Sequence, residues 1–117
     1  MSRLYALVGW GIVALGGLHM FTTFRLATTT PMGRVWFFGS GIAMSLAGAL
    51  NLLHRRYGFG APGLRTVCRV ANIVLLVFAA VAGRVTHATL AEYLLIVGLL
   101  GGALILSFVR SASLQAS

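Results

Sequence analysis

The chain has 117 residues, of which 59% are hydrophobic and 9% charged, and its mean hydropathy is +0.97. A soluble domain covers its surface with roughly a quarter charged residues, so this composition excludes a water-soluble fold and calls for lipid around the chain. The net charge of +8 comes from nine arginines, no lysine and the single acid Glu92; without an RNA-recognition motif, zinc-ligand spacing or a long basic helix, it points to membrane topology and anionic lipids and away from nucleic acid.

The first predicted span covers residues 4–24. Its apolar run from Leu4 to Phe24 exceeds the roughly 7 to 15 residues of a signal-peptide core, and no small-residue cleavage site follows, so a retained signal anchor is expected. The second span covers 33–54. Thr30 and Pro31 fit an N-cap followed by proline at the first helical position. At the other end, His54, Arg55 and Arg56 set cations on the negative pole of the helix dipole, and Gly58 reads as a left-handed cap. Residues 57–64, with Gly58, Gly60, Pro62 and Gly63, read as a loop.

The third span, 67–85, is the weakest, because its uninterrupted apolar part runs only from Val70 to Gly83. It crosses if Arg69 lies at the interface and snorkels outward. The lone Cys68 has no partner for a disulfide or a metal and reads as a small buried apolar side chain. The fourth span covers 88–109, and Thr89 to Glu92 fits a capping box. At about 1.5 Å rise per residue, each segment can cross a core of about 30 Å with some tilt. The expected architecture is a single all-α domain, an integral membrane four-helix (four-span) bundle.

With the N-terminus inside, the inner side carries Arg3, Arg55, Arg56, Arg65, Arg69 and Arg110, and the outer side carries Arg25, Arg34 and Arg84. Six against three favours both termini in the cytoplasm. Tyr5 and Tyr57 act as inner aromatic anchors, Trp36 and Tyr93 as outer ones. Arginine without lysine suggests a GC-rich genome and a bacterial plasma (inner) membrane. Arg55, Arg56, Arg65 and Arg69 are the expected contacts to anionic lipid headgroups.

Small residues recur at helical spacing. Gly9 and Gly16 share a stripe of the first helix, Gly41, Ser45 and Gly48 share one on the second, and Gly98 with Gly102 forms a GxxxG on the fourth. In lipid such stripes let backbones approach closely. They serve either packing within one bundle or, at Gly98 and Gly102, a homodimer seam. Asn51 and Asn72 fall at similar depth near the inner face, where an amide pair would lock the second and third helices.

A candidate polar site lies in the outer half. His19 sits five residues inside Phe24 and Glu92 four inside Ala88, so both are roughly 6 to 8 Å below the outer interface. Thr23, Arg34 and Trp36 lie nearby. Intramembrane ionisable groups are functional candidates, although the capping box offers Glu92 a purely structural role. A haem b held by His19 and His87 is an alternative. His54 belongs to the opposite face.

With no nucleophile elbow, phosphate loop, zinc-binding helix or carboxylate pair, no catalytic residue is assigned. The functions left open are a non-catalytic binding or accessory subunit, as a homodimer or beside a larger membrane protein; a small transporter or channel using His19 and Glu92; and a haem-binding or quinone-linked redox subunit or a small intramembrane enzyme.

Overall fold

The computed structural model describes residues 2–25 and 30–109, and Arg110 lies outside them. Four helices make up the fold: α1 (Ser2–Thr23), α2 (Pro31–Tyr57), α3 (Pro62–Val85) and α4 (Leu90–Phe108), with a 3₁₀ turn at Gly58–Gly60 between α2 and α3. No strand occurs among the described residues. All four helices are long and apolar enough to cross a membrane. Their outward faces carry large apolar side chains, Val74, Val77, Leu94 and Ile105 among them, each at least 60% exposed. In water these faces would be a large aggregation surface, and in lipid they are at home.

Local chemistry sets the helix ends. Thr30 caps α2, its hydroxyl accepting from the Gly33 amide at 3.1 Å, and Pro31 follows at the first position. The α4 start is a complete capping box: the Glu92 amide donates to Thr89 Oγ1 at 3.3 Å and the Thr89 amide to Glu92 Oε2 at 3.4 Å. The α3 end is a Schellman arrangement. The Ala88 amide returns to the Gly83 carbonyl at 3.0 Å and the His87 amide to Arg84 at 3.4 Å. His87 takes the left-handed position with φ 53°, a role usually filled by glycine.

Two expectations about the α2–α3 connection need correction. The loop expected at 57–64 is far shorter, because α2 runs to Tyr57 and α3 starts at Pro62. Proline is pre-set for a first helical turn and lacks only an amide that would be unbonded there. Arg65 is therefore a residue of α3. Gly58, expected as a left-handed cap, has φ −62°. What requires glycine there is space: a Cβ would collide with the His54 ring.

The tightest helix contact joins α1 and α2. A Cβ on Gly16 would lie 2.6 Å from the Gly41 carbonyl oxygen, and one on Gly41 would lie 2.7 Å from the Gly16 oxygen. Gly48 stands likewise 2.7 Å from the Gly9 oxygen, and Gly9 faces Leu52. Ser45 Oγ donates to the Val13 carbonyl at 3.3 Å between the two glycine pairs. Backbones this close gain dispersion contacts, which replace the hydrophobic drive missing in lipid. The interior is then filled by Ile12, Met44, Leu100 and Ala103, with Tyr5 and Leu106 forming a second buried group toward the α1 N-terminus.

Candidate functional site

Among the described residues, no side-chain hydrogen bond joins His19, Glu92, Arg34 and Trp36, expected in the outer half, to one another. His19 Nδ1 lies 3.1 Å from the Leu15 carbonyl of its own helix, and its ring stacks on Phe37 at 4.6 Å. Thr23 is buried, but its hydroxyl donates back to the His19 carbonyl at 2.9 Å. Glu92 is exposed and engaged in its capping box, and no hydrogen bond joins it to His19. Arg34 and Trp36 are exposed. His87 is an exposed turn residue whose direction is fixed by the Schellman geometry. For His19, Thr23 and Glu92 the physical reason is local: each side chain has a bonding partner within a few residues, and such short-range bonds compete with cross-helix ones.

The opposite end of the bundle holds a connected set of polar side chains. Tyr5 from α1, Asn51 and His54 from α2, and Cys68 and Asn72 from α3 are all at most 1% exposed. Asn51 and His54 are three apart and Cys68 and Asn72 four apart, so each pair lies on one face of its helix. Asn51 Nδ2 donates to Asn72 Oδ1 at 2.8 Å, and Asn72 Nδ2 returns a bond to Asn51 Oδ1 at 2.9 Å. The second hydrogen on Asn51 Nδ2 goes to the Ala47 carbonyl at 2.8 Å. The Tyr5 hydroxyl lies 2.7 Å from Asn51 Oδ1 and 2.8 Å from His54 Nδ1. Cys68 Sγ is 3.3 Å from Asn51 Oδ1 and 3.7 Å from the Tyr5 hydroxyl.

Two arrangements of the hydrogens in this cluster differ in the tautomer of His54. Asn51 Oδ1 has two lone pairs, and the Asn72 amide fills one. In the first arrangement Tyr5 donates to Asn51 and His54 donates from Nδ1 to Tyr5, so Nε2 is a bare acceptor. In the second Tyr5 donates to His54 Nδ1, the Cys68 thiol donates to Asn51, and Nε2 carries a proton. Either way one valence stays open, and His54 Nε2 is the buried side-chain atom without a hydrogen-bond partner among the described residues. A buried polar atom left unpaired is costly.

His54 also lines a pocket, although its Nε2 is covered. A cavity of about 390 Å³ is lined by His54, Phe59, Arg65, Arg69, Ser107, Phe108 and Val109. Arg69 is held by two donations to the Ser107 carbonyl, from Nε at 3.2 Å and Nη2 at 2.9 Å, and lies 4.3 Å from the Phe108 ring centre. Arg65 Nη1 donates to the Phe59 carbonyl at 3.3 Å. Each guanidinium has five N–H groups, so donors remain on both. Among the described residues the lining contains two arginines and no acid, since Glu92 stands at the other end. Arg55 braces the same end, its Nε donating to the Ser2 carbonyl at 2.8 Å and hydroxyl at 3.0 Å, while Arg56 lies over Tyr57. Among the sequence candidates, Asn51, Asn72, Arg65 and Arg69 come together here; Tyr5, His54 and Cys68 were not expected to join them.

The remaining glycine candidates divide clearly. Gly9, Gly16, Gly41 and Gly48 belong to the α1–α2 contact, as does Ser45. Gly98 has nothing within 4 Å of an added Cβ, and Gly102 meets only Val8, at 4.0 Å. No protein-family model, curated protein or solved structure matches the chain.

Proposed function

We propose that this chain is a non-catalytic binding subunit of the plasma membrane, with both termini cytoplasmic, and that it binds its ligand in the Arg65/Arg69 pocket. The observation that carries this reading is the juxtaposition of a polar cluster with one open valence, at His54 Nε2, and a pocket whose two charged groups are arginines. Structural pairing accounts for the asparagines; it gives no account of the unpaired imidazole nitrogen beside two guanidinium groups. Orientation rests on arginine distribution: among the described residues, Arg3, Arg55, Arg56, Arg65 and Arg69 lie at the pocket end and Arg25, Arg34 and Arg84 at the other. Lys and Arg excess marks the cytoplasmic side. The open face at Gly98 leaves room for a second copy or a larger membrane partner.

Native mass spectrometry of the full chain released from its membrane tests the binding role. A ligand adduct is expected on the wild type and is expected to be lost in Arg65→Gln. An Arg65→Gln protein that retains the adduct in full would remove the pocket from the function. Orientation is tested separately by single-cysteine labelling in inverted and right-side-out vesicles. Gly63→Cys, at the pocket end, should react in inverted vesicles and Thr86→Cys in right-side-out ones.

A further inference from the structure

We infer that the ligand of this pocket is a phosphate group bearing net negative charge, bound by Arg65 and Arg69 and accepting a hydrogen bond from His54 Nε2. The inference rests on the pocket reading above and goes further by naming the ligand chemistry. Two guanidinium groups with spare N–H donors, and no acid among the described residues of the lining, select an oxyanion. Such charge-assisted bonds are about twice as strong as neutral ones. A zwitterionic headgroup brings its own cation into the same positive field and is disfavoured there.

The rest of the wall favours an amphiphile. Phe59, Phe108 and Val109 give the cavity an apolar side, with Phe59 39% and Phe108 59% exposed. A headgroup phosphate on the arginines would leave its glycerol and acyl portions against these residues and the apolar outer faces of α3 and α4. The same phosphate chemistry is available from anionic phospholipids or from free phosphate in the aqueous phase.

The network couples to this ligand through its two arrangements. An anionic oxygen offers only acceptors, so it requires a proton on His54 Nε2. For the neutral imidazole that selects the second arrangement, in which Tyr5 donates to His54 Nδ1 and the Cys68 thiol donates to Asn51 Oδ1. Nε2 is itself covered and lies close to Gly58, in a 3₁₀ turn with glycine at both ends. The phosphate oxygen reaches it as that turn yields, or through one bridging water. A ligand that donates a hydrogen bond instead would select the opposite tautomer.

The test is a titration of phosphatidylglycerol into phosphatidylcholine nanodiscs holding the full chain, with the His54 tautomer read by nitrogen-15 NMR. The proposal expects one saturable site. Arg65→Gln should lower its affinity at least about tenfold, the effect of losing a hydrogen bond to a charged group. Gly58→Ala, which displaces the His54 ring, should weaken it as well, and Arg34→Gln at the other end should leave it unchanged. In the wild type, saturation should leave His54 in the Nε2–H form, a readout that needs no variant to fold. A second arm adds inorganic phosphate to phosphatidylcholine nanodiscs. If it displaces the lipid and gives the same tautomer, the phosphate is a free anion; if it has no effect, the phosphate belongs to the lipid. Equal affinity of wild type and Arg65→Gln, or an Nδ1–H form at saturation, would overturn the proposal. A natural adduct that contains no phosphorus yet is lost in Arg65→Gln would overturn it too and leave the pocket reading standing.

Discussion

Asn51 and Asn72 exchange two hydrogen bonds across α2 and α3, at 2.8 and 2.9 Å, with both side chains fully buried. This reciprocal pair fixes the register of the two helices, since a slide by one residue would part the two side-chain amides in a medium with little water. Removing one partner orphans the other, whereas replacing both by apolar groups of similar size does not.

Asn72→Leu alone should therefore destabilise the protein in detergent by about 1–3 kcal/mol. Asn51→Leu should cost at least as much, because Tyr5, Cys68 and Asn72 all lie within bonding range of its Oδ1. The double variant should lose less than the two single losses added together. Thermal unfolding in one detergent measures all three, and simple additivity would show that the pair does not act as a unit.

A second prediction concerns the α1–α2 crossing. Gly41→Ala sets a methyl group 2.7 Å from the Gly16 oxygen, and Gly48→Ala sets one 2.7 Å from the Gly9 oxygen. Neither contact can be relieved by a side-chain rotation, because the obstacle is backbone. Each should lower stability by about 1–3 kcal/mol, the usual cost of overpacking. Gly39→Ala and Gly17→Ala meet nothing within 4 Å and should leave the melting temperature unchanged or slightly raised. Since alanine is the better helix former, an equal loss of stability at all four positions would show that the close approach to the Gly16 and Gly9 oxygens is not what requires glycine.

Signals that act within a few residues were legible in the sequence. Four apolar runs gave four helices, Thr30 with Pro31 gave a cap, and Thr89 with Glu92 gave a capping box. The Asn51 and Asn72 pairing followed from depth alone, since both lie near the same end of adjacent helices. What depth does not supply is the direction a side chain takes around its helix. Tyr5 read as an interfacial anchor and His54 as a cap-region base, yet both turn into the bundle. The spacing that reveals it was present: Asn51 with His54, and Cys68 with Asn72, each define one polar face, and two such faces on neighbouring helices must meet or both face lipid. His19 and Glu92 were matched by depth as well, and there the local bonds decided the outcome.

The third prediction concerns that pair. His19 Nδ1 lies 3.1 Å from the Leu15 carbonyl, and the ring stacks on Phe37 from α2. Glu92 Oε2 accepts from the Thr89 amide at 3.4 Å on an exposed first turn. The two groups thus serve different neighbours: His19 joins α1 to α2, and Glu92 holds the start of α4. His19→Ala should cost about 1–2 kcal/mol through the lost stacking and burial. Glu92→Gln keeps an acceptor for the same amide and loses only the favourable charge at the helix N-terminus, an effect of about 0.3–1 kcal/mol. Because the sites share no partner, their effects should add to within about 0.5 kcal/mol. A double variant in the same detergent measures this directly. If Glu92→Gln is as damaging as His19→Ala and the double variant is no worse than either, the two residues act together in the outer half, and the capping box is not the main role of Glu92.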